Sequence, residues 1–188
     1  MTEKKYSLMD RWRCLFRKEF YMILPNYIFF LIPIASIMAY LSHRYIDNWI
    51  GWKFPIPRPY NFIFFGVSLI VGFAGILWVY SYLILEGEGG PCPPFTSKTK
   101  RLVKTGAYSL CRHPSILFKL FGVIGLGCAF ESISFLLIVI PTLLVFSLLA
   151  NKKMQEDPLI EKFGDEYLEY KKKTPMLIPD FWKAFGWR

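Results

Sequence analysis

The chain has 188 residues, 54% of them hydrophobic and 19% aromatic, with a mean hydropathy of +0.32 and a formal charge of +9. That apolar content excludes a disordered chain, and the scattered Gly and Pro exclude collagen-like or low-complexity architecture. The basic residues avoid the apolar runs, which assigns the excess charge to the flanks of membrane helices and not to nucleic acid.

Residues 1–20 are charged and amphipathic, with Trp12, Phe16 and Phe20 at four-residue spacing among Arg11, Arg13, Arg17 and Lys18. This pattern suits a helix lying in the headgroup layer. No signal peptide is expected, because the next apolar run is too long and lacks a small-residue cleavage site. Four runs follow. Residues 22–41 carry no charge but include Pro25 and Pro33, and 62–85 is uncharged throughout. Residues 114–130 include Lys119, and 132–150 is uncharged with Pro141 near its middle. Runs of about twenty apolar residues match a hydrocarbon core of about 30 Å. Glu131 and Ser132 mark the joint of the last two runs, which predicts a tight helical hairpin.

Four spans place the connecting segments on alternating sides. The N-terminal segment, the 86–113 connection and the tail after Ala150 together hold nineteen Lys/Arg, against three in the 42–61 loop and none at the hairpin tip. Both termini and the 86–113 loop are therefore expected in the cytoplasm, in an inner membrane or the endoplasmic reticulum according to the cell. Residues 151–173 read as a polar helix with Leu159, Phe163, Tyr167 and Tyr170 on its apolar face and a break at Gly164. Cys14, Cys92, Cys111 and Cys128 show no CxxC spacing, so neither disulfides nor a zinc site are expected. The predicted fold is all-α: a multi-pass bundle of about four spans, with a cytosolic loop and a C-terminal helical segment closing a site. Residues 1–85 supply the amphipathic segment and two spans. Residues 86–188 supply the loop, the hairpin and the C-terminal segment.

A hairpin returns the chain to the side it left. The end of the loop, with Gly106, Tyr108, Arg112 and His113, should therefore meet the start of the polar helix, with Gln155, Glu156 and Asp157. A partly dehydrated cluster of Arg, His, Tyr and carboxylate is where ligand binding is expected. Each residue also has an ordinary role. Arg112 suits a juxtamembrane charge, His113-Pro114 a helix start, Gly106 a turn, and Glu156 and Asp157 the dipole of a helix N-terminus. Tyr167 and Tyr170 suit interfacial anchors, and Lys119 can snorkel to the surface.

Residues 100–116, KRLVKTGAYSLCRHPSI, and 155–179, QEDPLIEKFGDEYLEYKKKTPMLIP, resemble the isoprenylcysteine carboxyl methyltransferase family of membrane methyltransferases. The stretch GEGGPCPPF is similar to the lead-in of many prokaryotic members. The resemblance covers about residues 86–180, and its specificity lies in block order, hairpin spacing and FGDEYLEYKKKTP. It implies methyl transfer from S-adenosylmethionine, the cofactor, to a small or lipophilic acceptor, with membrane lipid as the surroundings. The acceptor atom is left open among carboxylate, thiol and amine. The cofactor-binding positions it implies are Arg101, Leu102, Val103, Tyr108, His113, Pro114, Ser115, Gln155 and Glu156, with Arg112 and Glu156 at the reacting centre.

Three positions depart from the family pattern. Ile116 stands where the block ends in Tyr, Gln155 aligns with the first Glu of a Glu-Glu pair, and Asn151 aligns with an Arg that contacts substrate in the prenylcysteine enzymes. Two other readings share parts of the pattern: a sterol-reductase-like enzyme using NADPH, and a non-catalytic membrane protein of the same fold. The KRLVKTGAY lead-in and the FGDEYLEY tail favour the methyltransferase over the reductase.

Overall fold

The computed structural model describes residues 6–14, 26–88 and 99–178. Among these residues the regular structure is entirely helical. Helix α1 is Leu8–Cys14. Ser7 and Asp10 exchange hydrogen bonds ahead of it, with the Asp10 amide on the Ser7 hydroxyl (3.2 Å) and the Ser7 amide on the Asp10 carboxylate (3.0 Å). That reciprocal pair satisfies amides the helix leaves unbonded. The side chain of Trp12 and all of residues 15–25, with Phe16 and Phe20, lie outside the described residues, as do the first four residues of the 22–41 run.

Helix α2 covers 26–50, α3 is Arg58–Leu85, α4 is the short Ala107–Leu110, and α5 is Pro114–Ala129. Helix α6 is Phe135–Phe163 and α7 is Asp165–Lys173. The stretches Phe29–Ile50, Arg58–Leu85 and Phe135–Phe163 are long and apolar enough to cross a membrane. The run at 114–130 is a helix too, but its 16 residues reach only about 24 Å at 1.5 Å per residue. Helix α2 continues past the expected end at Leu41 through a π turn, Ser42–Asp47, and stops at Gly51, whose φ of 79° suits glycine. The polar side chains of that turn are used: Ser42 and Asp47 are buried.

The chain packs as two compact units. One comprises 24–74 and 118–149. Its core joins Ala35 and Ala39 of α2 to Leu126 of α5 and Phe135 and Ile140 of α6. Small residues let the helices approach closely: a side chain at Gly72 would press on the backbone of Phe118 and Gly122, and one at Gly125 on Ser68. Such contacts are how membrane helices gain packing without a hydrophobic drive between them. The opposite surfaces are apolar and open, with Phe30, Ile34, Ile63, Ile70, Leu137 and Phe146 all exposed.

The hairpin between α5 and α6 is as tight as the sequence predicts. Its tip is held by the buried Asp47 carboxylate, which accepts from the Ser132 hydroxyl (2.7 Å) and the Ser134 amide (2.8 Å). Glu131, at φ 54°, turns its carboxylate to Arg58 and Asn61, each at 3.0 Å.

The other unit comprises 1–23, 75–117 and 150–188. It gathers the end of α3, the loop with α4, and the polar C-terminal segment. Gly164 separates α6 from α7 at φ 53°, so the expected break falls where the backbone needs glycine. The polar tail of α6 begins with a second kind of irregularity, a π turn over Lys152–Glu156. A π turn inserts one extra residue and so re-aims the side chains that follow it, a device common at functional sites.

Candidate functional site

The π turn carries Glu156 into the interior, where it is 1% exposed. Three groups converge on its carboxylate. Oε1 accepts from the Arg112 guanidinium and lies 3.2 Å from His113 Nε2, and Oε2 accepts from Lys171 Nζ at 2.7 Å. Such convergence holds a buried carboxylate in its charged form, because each partner interacts more strongly with an anion than with a neutral acid. His113 is itself buried, and the Arg112 side chain is 11% exposed with its Nε bonded to no described residue.

The two motif blocks are also joined through their backbones. The amides of Arg112 and His113 donate to the carbonyls of Pro175 (2.9 Å) and Met176 (3.1 Å), which fixes the direction of both side chains. The Tyr170 hydroxyl donates to the Tyr108 carbonyl at 2.6 Å. Tyr167, 2% exposed, packs against Tyr170 with ring centroids 6.0 Å apart. These two tyrosines therefore tie the blocks together from inside and are not surface anchors. Burial, and then the negative charge of Glu156, push the Tyr167 hydroxyl up to about 12. Burial likewise raises Tyr108 and Tyr170 above the ordinary phenol value and the Cys111 thiol to about 11.

Gly106 opens the corner before α4 at φ 59°, and any side chain there would collide with the ring of Tyr82. This corner sets where Tyr108 begins. Leu102 and Val103 lie in the irregular stretch before it, with Val103 buried.

The structure thus brings together Arg112, His113 and Glu156, with Tyr108 tied to α7 through the Tyr170 hydroxyl. Pro114 is buried at the start of α5, Ser115 is half-buried beside it, and Ile116 is buried as well. Gln155 is half-buried and takes no part in the ion cluster. Arg101 is directed elsewhere, with its side chain 69% exposed and paired to Glu88 at 2.9 Å. Lys171 was not singled out by the sequence, where it opens a run of three lysines without a distinguishing signal. Most of the GEGGPCPPF stretch, with Cys92, lies outside the described residues.

Comparison with known proteins gives a consistent picture. The model of the phospholipid methyltransferase family matches residues 61–165. A cobalt-zinc-cadmium resistance protein of Cupriavidus metallidurans is 35% identical over 150 residues, 79% of this chain and 61% of the relative. A nickel-cobalt-cadmium resistance protein of Alcaligenes xylosoxydans xylosoxydans is 36% identical over 44% of this chain and 38% of its own. The protein-S-isoprenylcysteine O-methyltransferase of Saccharomyces cerevisiae is 34% identical over 55% of this chain and 45% of its own. The chain thus spans less than two thirds of the length of each of these relatives. No solved structure matches it.

Proposed function

The chain belongs to the phospholipid methyltransferase family, and we propose that it is an integral membrane methyltransferase that takes its methyl group from S-adenosylmethionine. The observation that carries this reading is the buried Glu156 carboxylate, held by Arg112, His113 and Lys171 where the two motif blocks meet. The residues present suit the cofactor. Its amino-acid end is a zwitterion, and the cluster offers both signs of charge within a few ångströms. The Nε–H of Arg112, bonded to no described residue, is a buried donor of the kind that a carboxylate would satisfy. Glu156, with Gln155 beside it, suits the ammonium. Leu102 and Val103 offer an apolar wall for the adenine, with Tyr108, His113, Pro114 and Ser115 completing the surface. Arg101 enters this account as a charge at the rim.

When bound, the cofactor supplies a methyl group already activated by its positive sulfur. The work left to the protein is to align the acceptor with that methyl group and to keep water out. Arg112 and Glu156 hold one another in place for this task, and no proton needs to be stored on Glu156.

A lipophilic or small acceptor fits the setting, since Glu156 belongs to α6, one of the membrane-length helices. The division of basic residues, nineteen to three, supports a site and both termini on the cytoplasmic face. The catalytic region would then be 86–188, with 1–85 as its membrane frame. Asn151 stands where prenylcysteine enzymes carry a substrate-contacting Arg, which argues for an acceptor other than a prenylcysteine carboxylate.

The test is to incubate membranes containing the protein with methyl-labelled S-adenosylmethionine and to follow label into organic-soluble and water-soluble products. Transfer by the parent and its loss in Arg112→Ala is the expected result. Equal labelling in parent, Arg112→Ala and empty membranes overturns the proposal.

A further inference from the structure

We propose that Arg11, in the helix preceding the first span, is a positioning residue that holds the Arg101–Tyr108 segment in its binding geometry. The inference rests on the functional reading above only for what that segment binds.

The contacts form a chain. Arg11 Nη2 donates to Glu86 Oε1 at 3.0 Å, and its guanidinium carbon lies 3.5 Å from the centroid of the Tyr82 ring. The other oxygen of Glu86 accepts from the Thr105 hydroxyl. The Tyr82 ring is also the surface against which Gly106 is packed so closely that no side chain fits. Arg11 therefore reaches both residues of the Thr105-Gly106 corner, in one case through a carboxylate and in the other through an aromatic ring. That corner starts α4, whose Tyr108 carbonyl is bound by Tyr170. On the other side, Gly87 accepts from the amides of Lys100 (2.7 Å) and Arg101 (3.2 Å), so the segment is anchored at both ends beside Glu86.

Two features set this arrangement apart from a surface ion pair. Arg11 and Glu86 side chains are only 17% and 22% exposed, so both charges are largely dehydrated. Arg11 Nη1 is buried and bonded to no described residue. A dehydrated pair is a weak source of stability, and its effect lies in the geometry that it imposes. Planarity matters here, since the guanidinium donates to a carboxylate from its edge while its face stacks on a ring, which an ammonium does not reproduce.

The experiment compares hydrogen exchange across 99–110 in the ligand-free full chain for the parent, Arg11→Gln, Arg11→Lys, Thr105→Val and the control Arg13→Gln. S-adenosylhomocysteine affinity is measured on the same samples. Arg11→Gln and Thr105→Val are expected to quicken exchange in that segment by about ten-fold, with Arg11→Lys between them and the parent. Exchange in α5 and α6, and in Arg13→Gln throughout, stays at the parent value. Affinity for S-adenosylhomocysteine falls alongside. Unchanged exchange in Arg11→Gln, or an equal rise over all helices, overturns the proposal. Quickened exchange confined to 99–110 in a protein whose parent binds no S-adenosylhomocysteine sustains the positioning role and overturns the cofactor reading instead.

Discussion

The Tyr170 hydroxyl donates to the Tyr108 carbonyl at 2.6 Å, joining residues 62 positions apart. One end belongs to the loop before the hairpin and the other to the last described helix. This bond, with the Arg112 and His113 amides on Pro175 and Met176, makes one folded surface from two distant stretches of chain. Tyr170→Phe removes the donor and leaves a buried carbonyl without it, so we expect a loss of about 1–3 kcal/mol in stability. Thermal unfolding in detergent measures it; a melting temperature equal to the parent's would show the bond to be dispensable.

The Glu156 cluster predicts a ranking. Glu156→Gln leaves two cations facing a neutral amide in a buried place and should cost on the order of 3–5 kcal/mol. Arg112→Lys keeps the charge but not the fork, and should fall below that value. Lys171 is 31% exposed, so Lys171→Met should cost only about 1 kcal/mol or less. Chemical denaturation of the three variants gives the order. A Lys171→Met loss equal to that of Glu156→Gln would contradict it.

Two glycines separate backbone strain from steric overlap. Gly106 and Gly164 have nearly the same backbone, φ 59° and 53° with ψ −126° and −128°. Only Gly106 has a ring in the way, whereas a side chain at Gly164 meets nothing within 4 Å. Gly164→Ala should therefore cost about 1–3 kcal/mol from strain alone. Gly106→Ala should cost more, and Tyr82→Ala should bring it back to the Gly164→Ala level relative to its own background. Equal losses in the two single variants would contradict the packing of Tyr82 on Gly106.

Much of this arrangement was legible beforehand. The apolar run 62–85 lies inside α3, the joint at Glu131 and Ser132 is the hairpin tip, and Gly164 ends α6. The meeting of Arg112, His113 and Glu156 followed from hairpin geometry, because a hairpin forces its two flanks together. The rest depended on features that leave no periodic trace. Hydropathy does not register the π turns that carry α2 to Ile50 and turn Glu156 inward. Nor does it separate an interior tyrosine from an interfacial one, so Tyr167 and Tyr170 could be placed only once their partners were known. The pairing of Arg11 with Glu86 spans 75 positions between residues that each look like ordinary flanking charges. Lys171 differs from Lys172 and Lys173 only by its phase on α7.

Alkaline pH should loosen the site in a defined window. Burial lifts Cys111 to about 11 from 9.0 and Tyr167 to about 12 from 10.0, and it raises Tyr108 and Tyr170 as well. The folded state thus favours the neutral forms. Their contribution is complete below the unfolded values and is lost as pH rises through the folded ones, roughly from pH 9 to 12. Melting temperature should fall across that range, less steeply in Tyr167→Phe than in the parent. Identical slopes would show that Tyr167 ionises as freely in the folded chain as in the unfolded one.

The most direct measurement is calorimetric titration of the purified protein, in detergent, with S-adenosylhomocysteine and separately with NADPH. We expect saturable heat and a raised melting temperature with S-adenosylhomocysteine alone, since a ligand that prefers the folded state must stabilise it. Binding should weaken by at least about ten-fold in Arg112→Ala, which removes a buried charge-assisted donor. Heat with NADPH and none with S-adenosylhomocysteine would contradict the methyltransferase reading.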